Sequence, residues 1–302
     1  MNASVKRNLF YRLFFEDYWV VGIVRNDLLP EVRNVVTIPD AHVIWLKFNR
    51  GFFLADPHWL DESKRMIICE CLYFHEKIGK LAIVFLNEDW SIREMKMINS
   101  KSKHYSYPQV IRINGKCFII PESAFDNCIK MLEIDENENK IVREQILIEN
   151  CNLVDPTVFY HNQKYWMFAN PLNDFNHQLE IFYADTIEGP WTRTSYSPLT
   201  IQNCRGAGTV IFENGQMFWF TQYNEKQYGG GIIRRRIIKL DENEFIFETE
   251  GRIMPDEQSK YPFGLHTMNI GRSNTLIDGK NYSFQIIKPF RALYFRLFRK
   301  RG

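Results

Sequence analysis

The pattern of apolar and polar residues along the chain predicts short β-strands joined by tight turns. Three segments align without a gap, and each has an apolar strand, a small polar turn and a second strand rich in aromatic residues. Two of the turns are Asn-Gly dipeptides, which favour hairpins because both positions tolerate positive φ. The segments are YPQVIRINGKCFII (107–120), DPTVFYHNQKYWMF (155–168) and AGTVIFENGQMFWF (207–220).

Two weaker copies flank these three segments. One begins with ADPHWL (55–60) and the other with GLHTMNI (264–270). The copies recur about every fifty residues, a period typical of propeller blades with about four strands each. The sequence therefore predicts an all-β fold, a five-bladed β-propeller of mostly four-stranded blades over residues 1–287. A β-sandwich with coincidental similarity between the segments is the alternative.

Other apolar runs supply candidates for the remaining strands of the blades. WVVGIVR (19–25) is a candidate strand to complete the last blade and close the ring. LEIFYAD (179–185) and GIIRRRIIKL (231–240) are candidate outer strands. The three arginines of the last segment predict a blade edge, where charge discourages pairing with another chain.

The residues that open the first strand of each copy predict a functional site. In a propeller these strands run along the central axis, so their starts meet at one end of the channel. Asp-Pro opens two copies, at Asp56 and Asp155. Proline fixes the chain direction and gives up an N–H that a strand start can spare. We expect both carboxylates to face one pocket, although Asp-Pro also occurs as a simple turn start.

Other polar and aromatic side chains are expected beside these two carboxylates. Glu122 opens the loop after the second hairpin, where a glutamate is otherwise merely solvated. Arg205 precedes the fourth copy, and pairing with an aspartate would keep that carboxylate ionised, which suits a base or a stabiliser. His266 opens the fifth copy, or is a structural histidine of the channel. The other predicted substrate-binding residues are His58, Trp59, Tyr107 and Tyr223.

Carboxylates ringed by aromatic side chains are the groups that sugar chemistry uses. One carboxyl gives or takes a proton, a second supports the oxocarbenium-like centre, and flat rings stack on sugar faces. The predicted catalytic residues are therefore Asp56, Asp155 and Glu122.

Composition narrows the classes of function and location. The net charge of +2 gives no reason to expect a partner nucleic acid. The 6 cysteines are scattered without a CxxC pair, which argues against a zinc site and for reduced thiols. The chain has no uninterrupted apolar run of about 18 residues and no clear signal-peptide pattern. We expect a cytoplasmic protein.

The segment 288–302 is predicted to form a short amphipathic C-terminal helix. Its apolar residues fall on one helix face, and Lys and Arg occur between them without any acid. This pattern predicts peripheral contact with an anionic membrane surface, at the inner face of the membrane. A helix packed on the propeller with a solvated basic end is the alternative. The apolar residues are Phe290, Leu293, Tyr294, Leu297 and Phe298.

The order of these motifs resembles a known family. ADPHWL, YPQV, PES, VDPTVFY, EGPW (188–191), RGAG (205–208) and GLHTMN follow one another as in the N-terminal propeller domain of plant glucosamine inositolphosphorylceramide transferases and its stand-alone bacterial relatives. The resemblance covers roughly residues 15–285. More distantly, the chain is similar to five-bladed propeller glycosidases of the arabinanase and xylosidase type.

The glycosidase resemblance implies roles for the axial residues. It implies an axial base, matched by Asp56, an orienting aspartate, matched by Asp155, and a glutamate acid at the start of a later blade. Some of these glycosidases hold a metal ion on the axis through a histidine, so a divalent ion is allowed here although none is required. The chain departs from this pattern at 205–208, and it lacks the usual proton donor unless Glu122 or Glu225 takes over.

These observations favour a glycosyltransferase of surface polysaccharide or glycolipid synthesis, using a nucleotide-activated or lipid-linked sugar. Arg205 suits a negatively charged partner such as a phosphate or a sugar acid. The chain has no glycine-rich phosphate loop, which counts against this hypothesis. A glycoside hydrolase of the five-bladed propeller type is the alternative, and a non-catalytic glycan-binding module is the second alternative.

Overall fold

Five β-sheets form a five-bladed propeller, as the fifty-residue repeat predicts. The computed structural model describes residues 9–49, 51–76, 78–99, 103–286 and 288–289. The chain starts with helix α1 (Leu9–Phe14) and strands β1 (Phe15–Arg25), β2 (Asn34–Thr37) and β3 (Val43–Trp45), which join the last two blades.

The first three blades are built from consecutive strands. Blade one contains β4 (Phe52–Asp61), β5 (Met66–Tyr73), β6 (Gly79–Leu86) and β7 (Ile92–Met97). Blade two contains β8 (Ser106–Ile113), β9 (Lys116–Glu122), β10 (Cys128–Asp135) and β11 (Lys140–Glu149). Blade three contains β12 (Leu153–His161), β13 (Lys164–Pro171), β14 (Gln178–Ala184), β15 (Thr192–Arg193) and β16 (Leu199–Thr200).

The last two blades borrow strands from the N-terminal part of the chain. Blade four contains β17 (Ile211–Glu213), β18 (Gln216–Gln222), β19 (Ile232–Leu240) and β20 (Phe245–Met254), with β2 parallel to β20. Blade five contains β21 (Met268–Ile270) and β22 (Asn274–Phe284), followed by β1 and β3. The ring closes because β1 pairs with β22 from Phe15–Phe284 to Arg25–Asn274, which confirms the closing role predicted for 19–25.

The prediction that 231–240 forms a blade edge is wrong. β19 lies between β18 and β20, so its backbone is paired on both sides. Two of its arginines are tolerated there because acids of the same blade face them: Arg234 contacts Glu213 on β17 and Glu250 on β20, and Arg236 contacts Glu248 on β20. The other candidate outer strand, β14, is the third strand of its blade, with β15 beyond it.

The apolar core is divided among the junctions between neighbouring blades. One cluster packs blade five on blade one through Val21, Ile67 and Leu276, and comparable clusters fill the other junctions. The six cysteines are free thiols, as predicted. None of the described helices has the length and apolarity needed to cross a bilayer. The helix predicted over 288–302 lies outside the described residues, apart from Lys288 and Pro289.

Candidate functional site

Two-residue bulges interrupt the first strands of blades one, two and three at equivalent places. The strand pairing skips Asp56-Pro57 in β4, Tyr107-Pro108 in β8 and Asp155-Pro156 in β12. The residue before each proline has a positive φ, 51°, 43° and 49° respectively, which L-residues seldom adopt. A bulge re-aims its side chains, and proline suits it because its nitrogen is not needed in the strand ladder. This explains why Asp-Pro opens two repeats.

Arg205 links two carboxylates at the centre of the propeller. Its Nε and Nη2 both bind Asp155, with Nη2 3.2 Å from Oδ1, and Nη2 lies 3.7 Å from Glu122 Oε2. The rings of Phe175 and Tyr228 lie 4.7 and 5.3 Å from the guanidinium carbon. Nη1 makes no hydrogen bond to any residue that the structure describes. The guanidinium is therefore fixed on one side and keeps a donor for another group.

Two buried glutamates on second strands lie close to these charged groups. Glu122 ends β9 and Glu70 lies within β5, and each pairs with the residue just before a bulge. Both are buried, with 5% and 8% of their surface exposed. Burial raises the pKa of Glu122 to about 8, and the nearby Asp155 carboxylate adds to the shift. Burial also raises the pKa of Glu70, with repulsion from Asp56 and Glu122. Glu122 is therefore expected to be largely protonated near pH 7.

Asp56 titrates close to neutral pH. Burial raises its pKa to about 7, where the attraction of His266 is offset by the repulsion of Asp278 and Asp155. Its Oδ2 lies 3.4 Å from the backbone nitrogen of Tyr107, at the next bulge. A carboxylate with a pKa near the working pH has the property that a general base requires.

The fifth blade contributes a buried histidine–aspartate pair. Asp278 has no exposed surface and accepts hydrogen bonds from the backbone nitrogens of Asp56, His266 and Thr267 and from Thr267 Oγ1. His266 Nδ1 lies 2.6 Å from Asp278 Oδ2, Nε2 lies 3.4 Å from Asp56 Oδ1, and the ring stacks on Trp19 at 3.9 Å. Burial lowers the pKa of His266, but Asp278 and Asp56 outweigh it and raise that pKa.

Three residues of this network could each offer one atom to a metal ion. Ligand atoms of Asp56, His266 and Asp278 lie within 4.8 Å of one another. Donors from Asp56, His266 and Thr267 already point at Asp278, so its oxygens are occupied by hydrogen bonds. Asp56 Oδ1 and His266 Nε2 remain, fewer than the four to eight ligands that protein-bound Zn²⁺, Mg²⁺ or Ca²⁺ takes. Asp56, His266 and Asp278 therefore do not fit a three-ligand metal site. Whether a divalent ion binds elsewhere on the axis stays a prediction.

Gly79, the first residue of β6, leaves room for Glu70. A Cβ at this position would meet Glu70 Oε1 and would lie 2.9 Å from the Tyr105 carbonyl oxygen. We expect Gly79→Ala to lower the free energy of unfolding by roughly 1–3 kcal/mol, because a buried strand cannot give way freely. Gly51→Ala is the control, since no described atom lies within 4 Å of its Cβ position. Urea unfolding of both variants tests this, and equal losses would contradict it.

The structure brings most of the predicted site residues together. Asp56, Asp155, Glu122, Arg205 and His266 belong to one connected cluster.

Two other predicted residues lie on the channel itself. Tyr107 is buried, and its hydroxyl lies 3.1 Å from Thr157 Oγ1 and accepts a hydrogen bond from the Gly208 nitrogen. His58 lies further along β4 beside a narrow cavity shared with Asp56 and Asn269, and burial lowers its pKa to about 4. It is therefore a neutral channel residue at pH 7.

Three residues considered from the sequence lie outside the cluster. Trp59 packs in the core between blades five and one, and its indole nitrogen donates to the Asn274 carbonyl. Tyr223 donates to Glu225 and carries Arg252 over its ring at 4.5 Å. The structure thus does not bring Trp59 or Tyr223 to the axis, and Glu225 is not placed to replace the missing acid.

Sequence reasoning missed several members of the cluster. Glu70 interrupts the apolar run RMIICECLYF (65–74), and a carboxylate inside a buried strand was a usable signal. Asp278 belongs to an Asp-Gly dipeptide, which is typical of a turn, but it lies within β22. Phe175 and Tyr228 lie on loops, for which the repeat gives no register. Gln222 is a further member, because its amide nitrogen donates to the Gly206 carbonyl and lies 3.4 Å from Asp155 Oδ2.

Comparison with solved structures relates the fold to propeller glycosidases. A GH43 β-1,3-galactosidase with galactodeoxynojirimycin gives a TM-score of 0.52 at 11% identity, covering 69% of this chain and 82% of that chain. An exo-β-1,3-galactanase from Clostridium thermocellum gives 0.53 at 10% identity, covering 65% and 49%. These similarities confirm the predicted fold.

Comparison of sequences identifies the family. Glucosamine inositolphosphorylceramide transferase 1 of Arabidopsis thaliana is 25% identical over 241 residues, which cover 74% of this chain and 29% of the relative. The protein of the same name from Oryza sativa subsp. japonica is 23% identical over 150 residues, 47% of this chain and 20% of the relative. The chain thus spans less than a third of the length of these relatives. The family model described as glucosamine inositolphosphorylceramide transferase 1, N-terminal, matches residues 51–273, and the chain therefore belongs to this family.

Proposed function

We propose that this chain is a carbohydrate-active enzyme that transfers a sugar in surface polysaccharide or glycolipid synthesis, with its active site at the axial cluster. One observation carries the proposal. Glu122, with its pKa raised to about 8, lies beside Arg205, which binds Asp155 through two nitrogens. Sugar transfer through an oxocarbenium-like transition state uses one carboxyl as proton donor and another as a charged group.

Each member of the cluster has a distinct role in this proposal. Glu122 donates its proton to the leaving oxygen as the bond between that oxygen and the anomeric carbon breaks. Asp56 accepts the proton of the acceptor hydroxyl as the new bond forms, so protons and charge balance. Arg205 orients Asp155 and offers Nη1 to an anionic group of the donor or acceptor. Glu122 thereby takes the place of the acid that segment 205–208 lacks.

The relatives suggest the class of substrate. Their name specifies the transfer of glucosamine to an inositolphosphorylceramide, which is a phosphate-bearing lipid. We carry over only the chemistry: an amino sugar donor and an acceptor or donor that bears a phosphate. Protonation of Glu122 lowers the negative charge around Arg205, which makes a phosphate beside this residue tolerable.

The test is incubation of the purified protein with UDP-activated hexosamines, with and without a glycolipid acceptor, while nucleotide release is followed. We expect release that depends on the acceptor and that is lost in Asp56→Asn and Asp155→Asn. Free sugar released from p-nitrophenyl glycosides or oligosaccharides without an acceptor would instead identify a glycoside hydrolase. Glycan binding that survives both substitutions, with no turnover of any of these substrates, would identify a binding module and overturn the proposal.

A hydrolase is the second candidate because the same acid and base can act on water. Asp56 deprotonates a hydroxyl, and nothing in its surroundings distinguishes the hydroxyl of a sugar from that of water. The distinguishing feature is Arg205, which binds Asp155 and leaves one nitrogen free for a charged group. A neutral glycan offers that nitrogen only uncharged oxygen acceptors, whereas a phosphate or carboxylate offers a stronger, charged one, so the cluster favours a charged substrate.

The activity is expected to follow a narrow bell-shaped pH profile. Asp56 must be ionised, so activity rises as the pH passes its pKa of about 7. Glu122 must be protonated, so activity falls as the pH passes its pKa of about 8. The optimum then lies between these values, and the measurement is kcat/KM from pH 5 to pH 10. A profile that is flat from pH 5 to pH 10 would contradict these roles.

A further inference from the structure

An exposed aromatic surface lies where α1 meets the ends of β1 and β22. We call it the aromatic patch, and its rings contact one another in a chain. Phe10 lies 4.9 Å from Phe14, Phe14 lies 5.9 Å from Phe284, and Tyr11 stacks on Phe15 at 4.1 Å. Phe10 and Phe284 are 55% and 53% exposed, and Leu13 and Ile286 beside them are 40% and 65% exposed. Apolar side chains this exposed and this contiguous mark an interaction surface.

The aromatic patch lies at the same end of the propeller as the axial cluster. Each first strand starts at the cluster and each second strand returns towards it, as β9 does where it ends at Glu122. β22 is a second strand, and it continues six residues past Asp278 to Phe284, about 20 Å at the usual rise per residue. Lys280, between them, lies 5.8 Å from the ring of Tyr228, which covers Arg205. Cluster and patch thus lie towards the same end of the propeller, about 20 Å apart along β22.

The charges around the aromatic patch are favourable for an anionic surface. Its two acids are already paired: Glu16 lies 3.9 Å from Lys288 Nζ, and Asp17 lies 3.9 Å from Lys280 Nζ. Both undescribed ends of the chain join it here, residues 1–8 before α1 and 290–302 after Pro289. These two segments contain Lys and Arg and no Asp or Glu. Clustered cations next to exposed aromatic side chains are typical of surfaces that lie on anionic lipid.

We propose that the aromatic patch rests on an anionic lipid bilayer and holds the axial cluster over a lipid-linked sugar substrate. The exposed rings enter the boundary between headgroups and acyl chains, and the basic termini contact the headgroups. The cluster lies towards the same end of the propeller, so the membrane would present a glycolipid headgroup to it from that side. The contact with the bilayer stands by itself, whereas the lipid-linked substrate rests on the proposed function.

Co-sedimentation with vesicles tests the contact. The full chain is mixed with vesicles of phosphatidylcholine alone or with phosphatidylglycerol added. We expect binding to the anionic vesicles and a loss of at least tenfold in the Phe10→Glu, Phe284→Glu double variant, since each ring withdraws on the order of 100 Å² of surface from water. The matched control is Phe212→Glu. Phe212 is also 55% exposed, but it lies on β17 at the end of the blade that is farther from the cluster. The control should bind like the parent.

Several outcomes would overturn the proposal. These are absence of binding to both kinds of vesicle, equal loss in the control, and full binding by the double variant, which would assign the contact to the basic termini alone. A dimer in light scattering that the double variant converts to a monomer would assign the patch to a second copy. Equal melting temperatures establish that the variants are folded. Activity on a water-soluble acceptor should be unchanged in the double variant, so failure of vesicle binding and failure of the proposed function are separable.

Discussion

Glu122→Gln is expected to lower kcat by roughly 10²- to 10⁴-fold, the usual contribution of a general acid. Glutamine has the shape of the protonated glutamate and occupies the same space, but it cannot deliver a proton to the leaving oxygen. KM should change little, because the hydrogen bonds to substrate are kept. The loss should shrink for donors with good leaving groups, which need no proton, and the alkaline limb of the pH profile should disappear. Steady-state kinetics with two donors of different leaving-group pKa measures both effects.

Glu225→Gln is the matched control for this prediction. Glu225 is exposed, accepts a hydrogen bond from Tyr223 at 2.8 Å, and lies outside the axial cluster. It should retain activity within about twofold, because surface substitutions away from the site have small effects. The same change at Glu70 distinguishes the two buried glutamates. If Glu70→Gln loses activity and Glu122→Gln does not, the proton donor is Glu70 and the assignment made here is wrong.

The fold could be predicted because the repeat itself indicates where each hairpin turns and which positions of the blades are equivalent. Asn-Gly turns fix each hairpin, and a fifty-residue period requires the hairpins to stand round a common centre. That argument alone brings Asp56 and Asp155 together, and the structure shows that their carboxylates interact. It also predicts Arg205 next to them, since Arg205 precedes the fourth copy. Residues at equivalent positions of the repeat can therefore be predicted to lie close together in the structure.

Side-chain direction could not be predicted near the bulges. A strand alternates its side chains, but a bulge resets the alternation, so neighbours of Asp56 cannot be assigned by counting. His58 therefore faces the channel while Trp59 faces the core. Tyr223 was misplaced for another reason: it lies just past the end of β18, and its neighbour Gln222 is the residue that approaches Asp155.

The prediction that β19 is a blade edge was wrong for a different reason. A run of arginines predicts a blade edge, because charge discourages pairing with another chain. Acids on other strands of the same blade instead pair with two of these arginines, Glu213 on β17 and Glu248 on β20. Cross-strand partners are distant in sequence, so single-strand reasoning could not include them.

Asp278→Ala is expected to lower the free energy of unfolding by roughly 3–5 kcal/mol, the cost of breaking a buried ion pair on one side. The substitution leaves the backbone nitrogens of Asp56 and His266 and the hydroxyl of Thr267 without their acceptor. It also leaves His266 buried and without its closest counter-ion. Asp241→Ala is the control, because Asp241 likewise accepts two backbone hydrogen bonds, but in an exposed turn, and its loss should be far smaller.

The pH dependence of this difference separates charge pairing from simple packing. Burial would raise the pKa of Asp278, but His266 and the donors of Thr267 outweigh it and lower that pKa below its ordinary 3.8. The contribution of Asp278 is therefore present above about pH 4 and is lost as the pH falls through the lowered value. The pKa of His266 is raised above 6.5, so its contribution is full below that pH and is lost as the pH rises through the raised value.

The stability difference between parent and Asp278→Ala, measured by urea unfolding, should then be largest between about pH 4 and pH 6.5 and should narrow on both sides. A difference that is constant from pH 3 to pH 9 would show that Asp278 acts through packing and neutral hydrogen bonds, and that His266 is not held as a cation by Asp278.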